Sequence, residues 1–389
     1  MPNSSRSVLV KKSFVLGALL LCFGLSSYEL SAQVNNASFF EKKQLFEEPG
    51  LYAGVNTFSF LRHKAFDNDI TDGYSLLGYQ MNPYIAWQPG ARFRIDAGIY
   101  LLRDFGANGF RQISPTFSFT YQEPGFRMIM GNLDGSLNHR LIEPFQNFER
   151  VIDRRQETGI QFLVENERIF WDTWLDWRNN VPIGINQKES VFAGTSAFLS
   201  LSKDDEYTFG VPVQLTAQHF GARLDTTGIP ATTLLNYAIG ASLAWNGGDN
   251  SFMKQVKFEP YLAFYRTLGA ATLPLESGEG YYLNFILDNQ AFDFMVSYWF
   301  GQDFYSPEGG YLFSSLGNKW DNPMRIENKR ELFILRFYKD IQIEDGLVIS
   351  FRFEPYFDLQ NQFMEYAGGL YFSYRPSFLL SKRAQSTSK

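Results

Sequence analysis

Residues 75–88 alternate with a period of two. Leu77, Tyr79, Met81, Pro83, Ile85 and Trp87 interleave with Gly78, Gln80, Asn82, Tyr84 and Ala86. After Pro89-Gly90 a second run sets Phe93, Ile95, Ala97, Ile99 and Leu101 against Arg92, Arg94, Asp96, Gly98 and Tyr100. This period predicts β-strands with one apolar and one polar face. Extended along the chain, it predicts sixteen strands over about 50–60, 75–88, 91–103, 111–122, 125–132, 156–166, 168–178, 190–202, 207–220, 233–245, 254–266, 279–288, 291–300, 331–341, 346–359 and 365–376. Most reach ten or more residues. That exceeds the ~5–6 of globular strands and matches the ~9–11 that a tilted strand needs to cross a bilayer.

The connections sharpen this picture. Short turns at 89–90, 123–124, 167, 203–206, 246–253, 289–290 and 344–345 alternate with mostly longer links at 61–74, 104–110, 133–155, 179–189, 221–232, 267–278, 301–330 and 360–364. An even strand number places both chain ends on the short-turn side. The expectation is an all-β fold: a closed antiparallel transmembrane β-barrel with short periplasmic turns and long external loops. Trp87, Tyr121, Trp245 and Phe300 fall near strand ends on the apolar face, where an interfacial aromatic girdle belongs. Pro83, Pro115, Pro212, Pro260 and Pro355 lie inside these strands, so bulges or broken pairing are expected beside them.

Composition supports a barrel. Aromatic residues make up 17% of the 389 and charged residues 20%, without low-complexity runs, which excludes disordered, collagen-like and coiled-coil classes. At the start, Arg6, Lys11 and Lys12 precede an apolar stretch from Phe14 to Leu25, and small residues follow at Ser31 and Ala32. This is the pattern of a cleaved export signal over 1–33. It predicts a lead-in at 34–49 on the periplasmic side, a barrel over 50–376 and a polar tail over 377–389. The single cysteine, Cys22, lies in the signal, so the mature chain offers no disulfide and no thiolate chemistry. Removing 1–33 takes the formal charge from −6 to −8, and no basic run offers a nucleic-acid footprint.

Signal, alternation and turn–loop rhythm together make the mature chain resemble bacterial outer-membrane β-barrel proteins, in particular porins of about sixteen strands. The segment Tyr366-Ala367-Gly368-Gly369-Leu370-Tyr371-Phe372-Ser373-Tyr374 looks like the aromatic closing strand of such barrels. The resemblance implies residence in the outer membrane of a Gram-negative bacterium, contact with outer-membrane lipid, recognition by assembly machinery through that strand, and the homotrimeric state that porins commonly adopt. It also implies passive diffusion of small hydrophilic solutes, no cofactor, no metal and no reaction to catalyse.

The register opposite the apolar faces points to a lumen. It carries Arg92, Arg94, Asp96, Asp172, Trp174, Asp176, Arg336, Arg352 and Glu354, which would be costly in a dry core and cheap in a wet channel. The long loop 133–155 adds Asp134, Arg140, Glu143, Glu149 and Arg150, and by resemblance to general porins would fold inward as a constriction. Trp174, between Asp172 and Asp176, offers a stacking face for a saccharide. Two other readings stand beside the channel. One is a non-conducting barrel acting in secretion or envelope assembly. The other is an outer-membrane lipid hydrolase, for which Ser136 and His139, with Asp134 and Glu143 nearby, supply the residue types of an esterase. Asp67-Asn68-Asp69-Ile70-Thr71-Asp72-Gly73 departs from the EF-hand pattern in its glycine position and lacks the closing Glu.

Overall fold

The computed structural model describes residues 36–182, 185–202, 206–221, 227–247 and 251–382. The expected export signal, part of the turn at 203–206 and residues 383–389 lie outside them.

Sixteen antiparallel strands close into a barrel. They are β1 (Gly50–Ala65), β2 (Ser75–Gln88), β3 (Phe93–Asp104), β4 (Gln112–Glu123), β5 (Phe126–Asn132), β6 (Thr158–Glu165), β7 (Ile169–Asn179) and β8 (Ser190–Ser200). There follow β9 (Tyr207–Phe220), β10 (Thr232–Gly240 and Ser242–Asn246), β11 (Met253–Gly269), β12 (Ser277–Asn289), β13 (Asp293–Gln302), β14 (Lys329–Glu344), β15 (Leu347–Asp358) and β16 (Phe363–Tyr374 and Ser377–Lys382). Each strand pairs with its sequence neighbours, and β1 closes the ring by pairing with both β2 and β16.

Four of the five strand prolines stand beside a local break in pairing, whereas Pro115 pairs with Ile99 in an unbroken β3–β4 ladder. Pro212 and Pro260 flank the break at Ala241 that divides β10, where the Ala241 N–H donates to the Pro260 carbonyl at 3.0 Å. Beside Pro355 the β14–β15 ladder skips from Ile334–Tyr356 to Phe337–Phe353, and beside Pro83 the β2–β3 ladder skips from Met81–Leu101 to Tyr84–Gly98. A proline has no N–H to give, so each ladder drops two residue pairs there and resumes beyond them. The barrel also runs further than the sequence indicates. After Pro376 the chain re-pairs with β1 as Ser377–Lys382, where the sequence reads as a polar tail.

The outward register is apolar and open: Leu77, Met81, Ile85, Trp87, Ile99, Ile113, Phe117, Met130, Trp171, Val213, Leu243, Leu262 and Phe285 all point away from the interior. A water-soluble protein does not expose an apolar belt of this size, so the outer wall is a lipid-facing surface and the barrel is an outer-membrane protein.

Candidate functional site

The inward register is densely filled. Residues 36–47 enter the lumen instead of lying in the periplasm. Phe39 packs edge-on against Phe58 (6.0 Å), Phe148 (5.1 Å) and Tyr371 (5.2 Å). The Lys43 N–H donates to Asp134 Oδ1 at 2.8 Å, and Arg94 donates to the Gln44 carbonyl at 2.6 Å. Residues 133–157 fold inward as well, with Leu137, Phe145, Phe148, Val151 and Ile152 buried. A third segment, 303–328, buries Phe304, Leu312, Phe313 and Leu316 against Trp299 and Tyr282.

Ion pairs run within the wall, join the inner loop and the 303–328 segment to it, and link the inner segments to each other. Glu354 of β15 meets Arg62 at 2.5 Å, Arg352 at 3.1 Å and Arg336 at 3.7 Å, and Arg336 also holds Glu143 of the inner loop. Glu149 of the same loop sits 2.7 Å from Lys64 and 3.4 Å from Arg62 and accepts from the Tyr74 hydroxyl. Burial pushes its carboxyl up, but the two cations and their hydrogen bonds outweigh that and hold it below the ordinary range. Arg150 pairs with Glu308 of the 303–328 segment, which also takes Arg178 of β7. The Arg352 guanidinium lies 3.5 Å from the Phe148 ring centroid.

Most candidate pore residues are therefore buried ion-pair partners. Arg94 and Asp96 pair at 2.5 Å, Asp134 meets Arg127 at 2.7 Å, Arg140 meets Glu165 at 2.8 Å over the Phe170 ring, and Asp176 meets Arg178 at 3.0 Å. Arg92 departs from its expected place: it is exposed and pairs with Glu123 at 2.9 Å beside the periplasmic turn. Trp174 offers no free face to a sugar. It is 2% exposed and stacks on His139 at 3.6 Å. A polar cavity of about 280 Å³ persists between residues 39–46 and the wall of β2–β5, touching Asn82, Asp96, Ser118 and Ser136.

His139 is clamped. Its Nδ1 donates to Asp172 Oδ2 at 2.8 Å and its Nε2 to Glu157 Oε2 at 2.9 Å, with no exposed surface. Burial alone would lower the ring's pKa, but the paired carboxylates raise it to about 9, while the imidazolium holds Glu157 far below the carboxylate range. A ring protonated at neutral pH, with both nitrogens occupied by carboxylates, cannot accept a proton from Ser136. The Ser136 backbone N–H donates to Glu157 at 3.0 Å, and φ at this residue is +57°. Ser136 and His139 thus form part of a structural clamp. The partners Glu157 and Glu308 were missed in the sequence because neither belongs to a local motif.

Two other histidines sit on the outer wall at its external end. His63 Nδ1 lies 2.8 Å from Ser75 Oγ, and His219 Nδ1 lies 2.9 Å from Thr233 Oγ1. Each pair spans adjacent strands in direct register. Both face the lipid side, one step beyond apolar pairs such as Leu61–Leu77. The loop 66–74 behind His63 is pinned to other segments. Asn68 Nδ2 donates to Glu365 at 2.7 Å, Asp69 pairs with Arg325 at 2.7 Å and Asp72 accepts from the Trp320 N–H at 2.8 Å.

Fold and belt define an outer-membrane β-barrel. Within that class, residues 29–383 match the model of the Lipid A 3'-O-deacylase-type family, and the chain belongs to that family. The match overturns the expectation that there is no reaction to catalyse, since the family is one of enzymes. No curated protein sequence matches the chain at a significant level. Among solved structures, it is similar to OprD of Pseudomonas aeruginosa, at 12% identity and TM-score 0.47, covering 88% of this chain and 98% of that one. It is also similar to Pseudomonas aeruginosa OccK2 (OpdF) crystallised with glucuronate, at 10% identity and TM-score 0.46, covering 85% and 97%. A loop L8 deletion mutant of Vibrio cholerae OmpT gives 6% identity and TM-score 0.48, covering 85% and 100%. These values place no constraint on function.

Proposed function

We propose that this protein is an outer-membrane hydrolase that cleaves an ester-linked acyl chain from lipid A in the outer leaflet, in a Gram-negative bacterium to which a cleaved N-terminal signal exports it. The observation that carries this reading is the family match over 29–383, nearly the whole mature chain. The packing of the lumen supports it. The inner loop and the 303–328 segment are tied to the wall by the pairs Glu143–Arg336 and Glu308–Arg178 and to each other by Arg150–Glu308, and residues 36–47 are tied to the wall by hydrogen bonds from Arg94 and Gln88, so the interior acts as a rigid support for the wall and not as a wide diffusion path. A lipid substrate reaches such a protein sideways through the bilayer, and the lipid-facing belt provides that approach.

Passive diffusion of small solutes is the second reading, favoured by the polar cavity of about 280 Å³ between residues 39–46 and the wall. One pair of assays on the refolded mature protein separates the two. Released fatty acid is measured from lipid A in mixed micelles, and conductance is recorded in planar bilayers. The hydrolase reading expects fatty acid release without steady conductance steps. Steady ohmic steps with no fatty acid released would replace it with the channel.

A further inference from the structure

We propose that Ser75 and His63 form the ester-cleaving dyad, with Ser75 as the nucleophile and His63 as its base. This rests on the hydrolase reading above. The argument starts from register. Phe353 of β15, Gly368 of β16, His63 of β1 and Ser75 of β2 lie directly opposite one another across four adjacent strands. All four belong to the outward register, so the row faces lipid.

Gly368 makes the row a groove. A Cβ there would meet its nearest neighbours only at 3.8 Å, the Arg352 carbonyl, and 4.0 Å, the Phe353 ring. At the next residue, inward-facing Gly369, the Tyr371 side chain already fills the space at 2.2 Å. The outward notch is therefore unfilled, and the outward neighbours on the adjoining rungs, Phe353, Tyr366, Leu370 and Leu61, are apolar or aromatic. Strands lie about 4.8 Å apart. A chain seated over Gly368 thus brings its ester carbonyl two strands along, to Ser75 Oγ. The Tyr366 ring stands beside the imidazole with centroids 6.2 Å apart.

Depth agrees with this placement. His63–Ser75 is the last rung of the β1–β2 ladder at the external end, and the next outward-facing pair below it, Leu61–Leu77, is apolar and open to lipid. The dyad therefore sits where hydrocarbon gives way to headgroup, the level of the ester bonds of a bilayer lipid. The mirror pair His219–Thr233 has similar bonding but no groove, since its flanking outward residues are Val191 and Leu268. It serves as an internal control.

In the reaction, the Ser75 hydroxyl donates to His63 Nδ1, and Nε2 carries the ring proton. Ser75 Oγ attacks the ester carbonyl as its proton passes to His63. Collapse of the tetrahedral adduct breaks the bond to the sugar oxygen, which takes that proton and leaves as the alcohol. Water from the headgroup layer then attacks the acyl-serine. His63 takes a proton from the water and returns it to Ser75 Oγ, and the fatty acid departs. The net change is ester plus water to alcohol plus acid.

The test uses the full mature protein and Ser75→Ala, His63→Ala, Gly368→Phe and His219→Ala variants, each checked for a folded barrel by heat-modifiable migration. Readouts are fatty acid release from lipid A, hydrolysis of a short soluble nitrophenyl ester and labelling by a fluorophosphonate probe. Ser75→Ala and His63→Ala are expected to cut release by ~100-fold or more and to abolish labelling, which maps to Ser75. Gly368→Phe is expected to suppress release from long-chain lipid and keep short-ester hydrolysis, while His219→Ala changes neither. Full release in folded Ser75→Ala overturns the dyad and leaves the hydrolase reading standing. Absence of release by the unmodified protein overturns the hydrolase reading, and the probe then decides the dyad: labelling at Ser75 upholds the nucleophile, and none at Ser75 overturns it.

Discussion

Replacing His139 by Gln removes a buried cation held between Asp172 and Glu157, and its cost depends on pH in a defined direction. The ring titrates at about 9 in the folded barrel against 6.5 for the free side chain. That gap of about 2.5 units, at 1.36 kcal/mol each, amounts to about 3 kcal/mol of stability. The ring has no exposed surface, so water does not screen its pairing with the two carboxylates. The folded value is raised, so the contribution is complete below pH 6.5 and is lost as pH rises through about 9. Glu157 is held far below its ordinary range and stays ionised throughout this window. The assay is urea unfolding of the refolded protein, followed by tryptophan emission, at several pH values across that window. The unmodified protein should lose about 3 kcal/mol from the acid to the alkaline end. His139→Gln should start lower and lack most of that slope. Equal slopes in both proteins would refute the clamp as a charged device.

Arg336→Ala leaves Glu143 and one side of Glu354 without their cation, so unfolding free energy should fall by about 3–5 kcal/mol; a loss near zero in the same urea titration would contradict the buried network. At Gly131, φ is +105° and a Cβ would come within 2.2 Å of the Phe117 carbonyl, so Gly131→Ala should destabilise the β4–β5 pairing by about 1–3 kcal/mol. An unchanged unfolding midpoint would show that this strained position relaxes freely. Ser136→Ala should leave fatty acid release intact, because His139 cannot serve it as a base; abolished release in a folded variant would reinstate that serine. Deleting residues 36–46 should turn a silent barrel into one with steady conductance steps, and continued silence would mean that the other inner segments suffice to close it.

The barrel was legible because a lipid-facing wall writes itself into the chain at period two, strand after strand. Ser75–Gln88 and Phe93–Asp104 reproduce the alternation residue by residue. Pro376 hid the last segment, since a proline this close to the polar run from Ser381 onward reads as an end, whereas the chain passes over Arg375 and Pro376 and re-pairs with β1. The lumen was less legible. The inward charges Arg94, Asp96, Arg336, Arg352 and Glu354 stand in the sequence as isolated alternating residues, consistent with a wet channel. Their partners come from far along the chain: Glu143 reaches Arg336 across 193 residues and Glu149 reaches Arg62 across 87. No local pattern encodes such pairs. The same holds for His63 and Ser75, which are twelve residues apart in sequence and join only through the register of one hairpin.

The central claim is ester cleavage at the membrane surface, and the mass of the lipid is its most direct measure. Lipid A incubated with the refolded mature protein is compared by mass spectrometry with lipid A incubated without it. Cleavage predicts a new species lighter by one acyl chain, together with the matching free fatty acid. An unchanged lipid A spectrum from a folded, heat-modifiable barrel would contradict it.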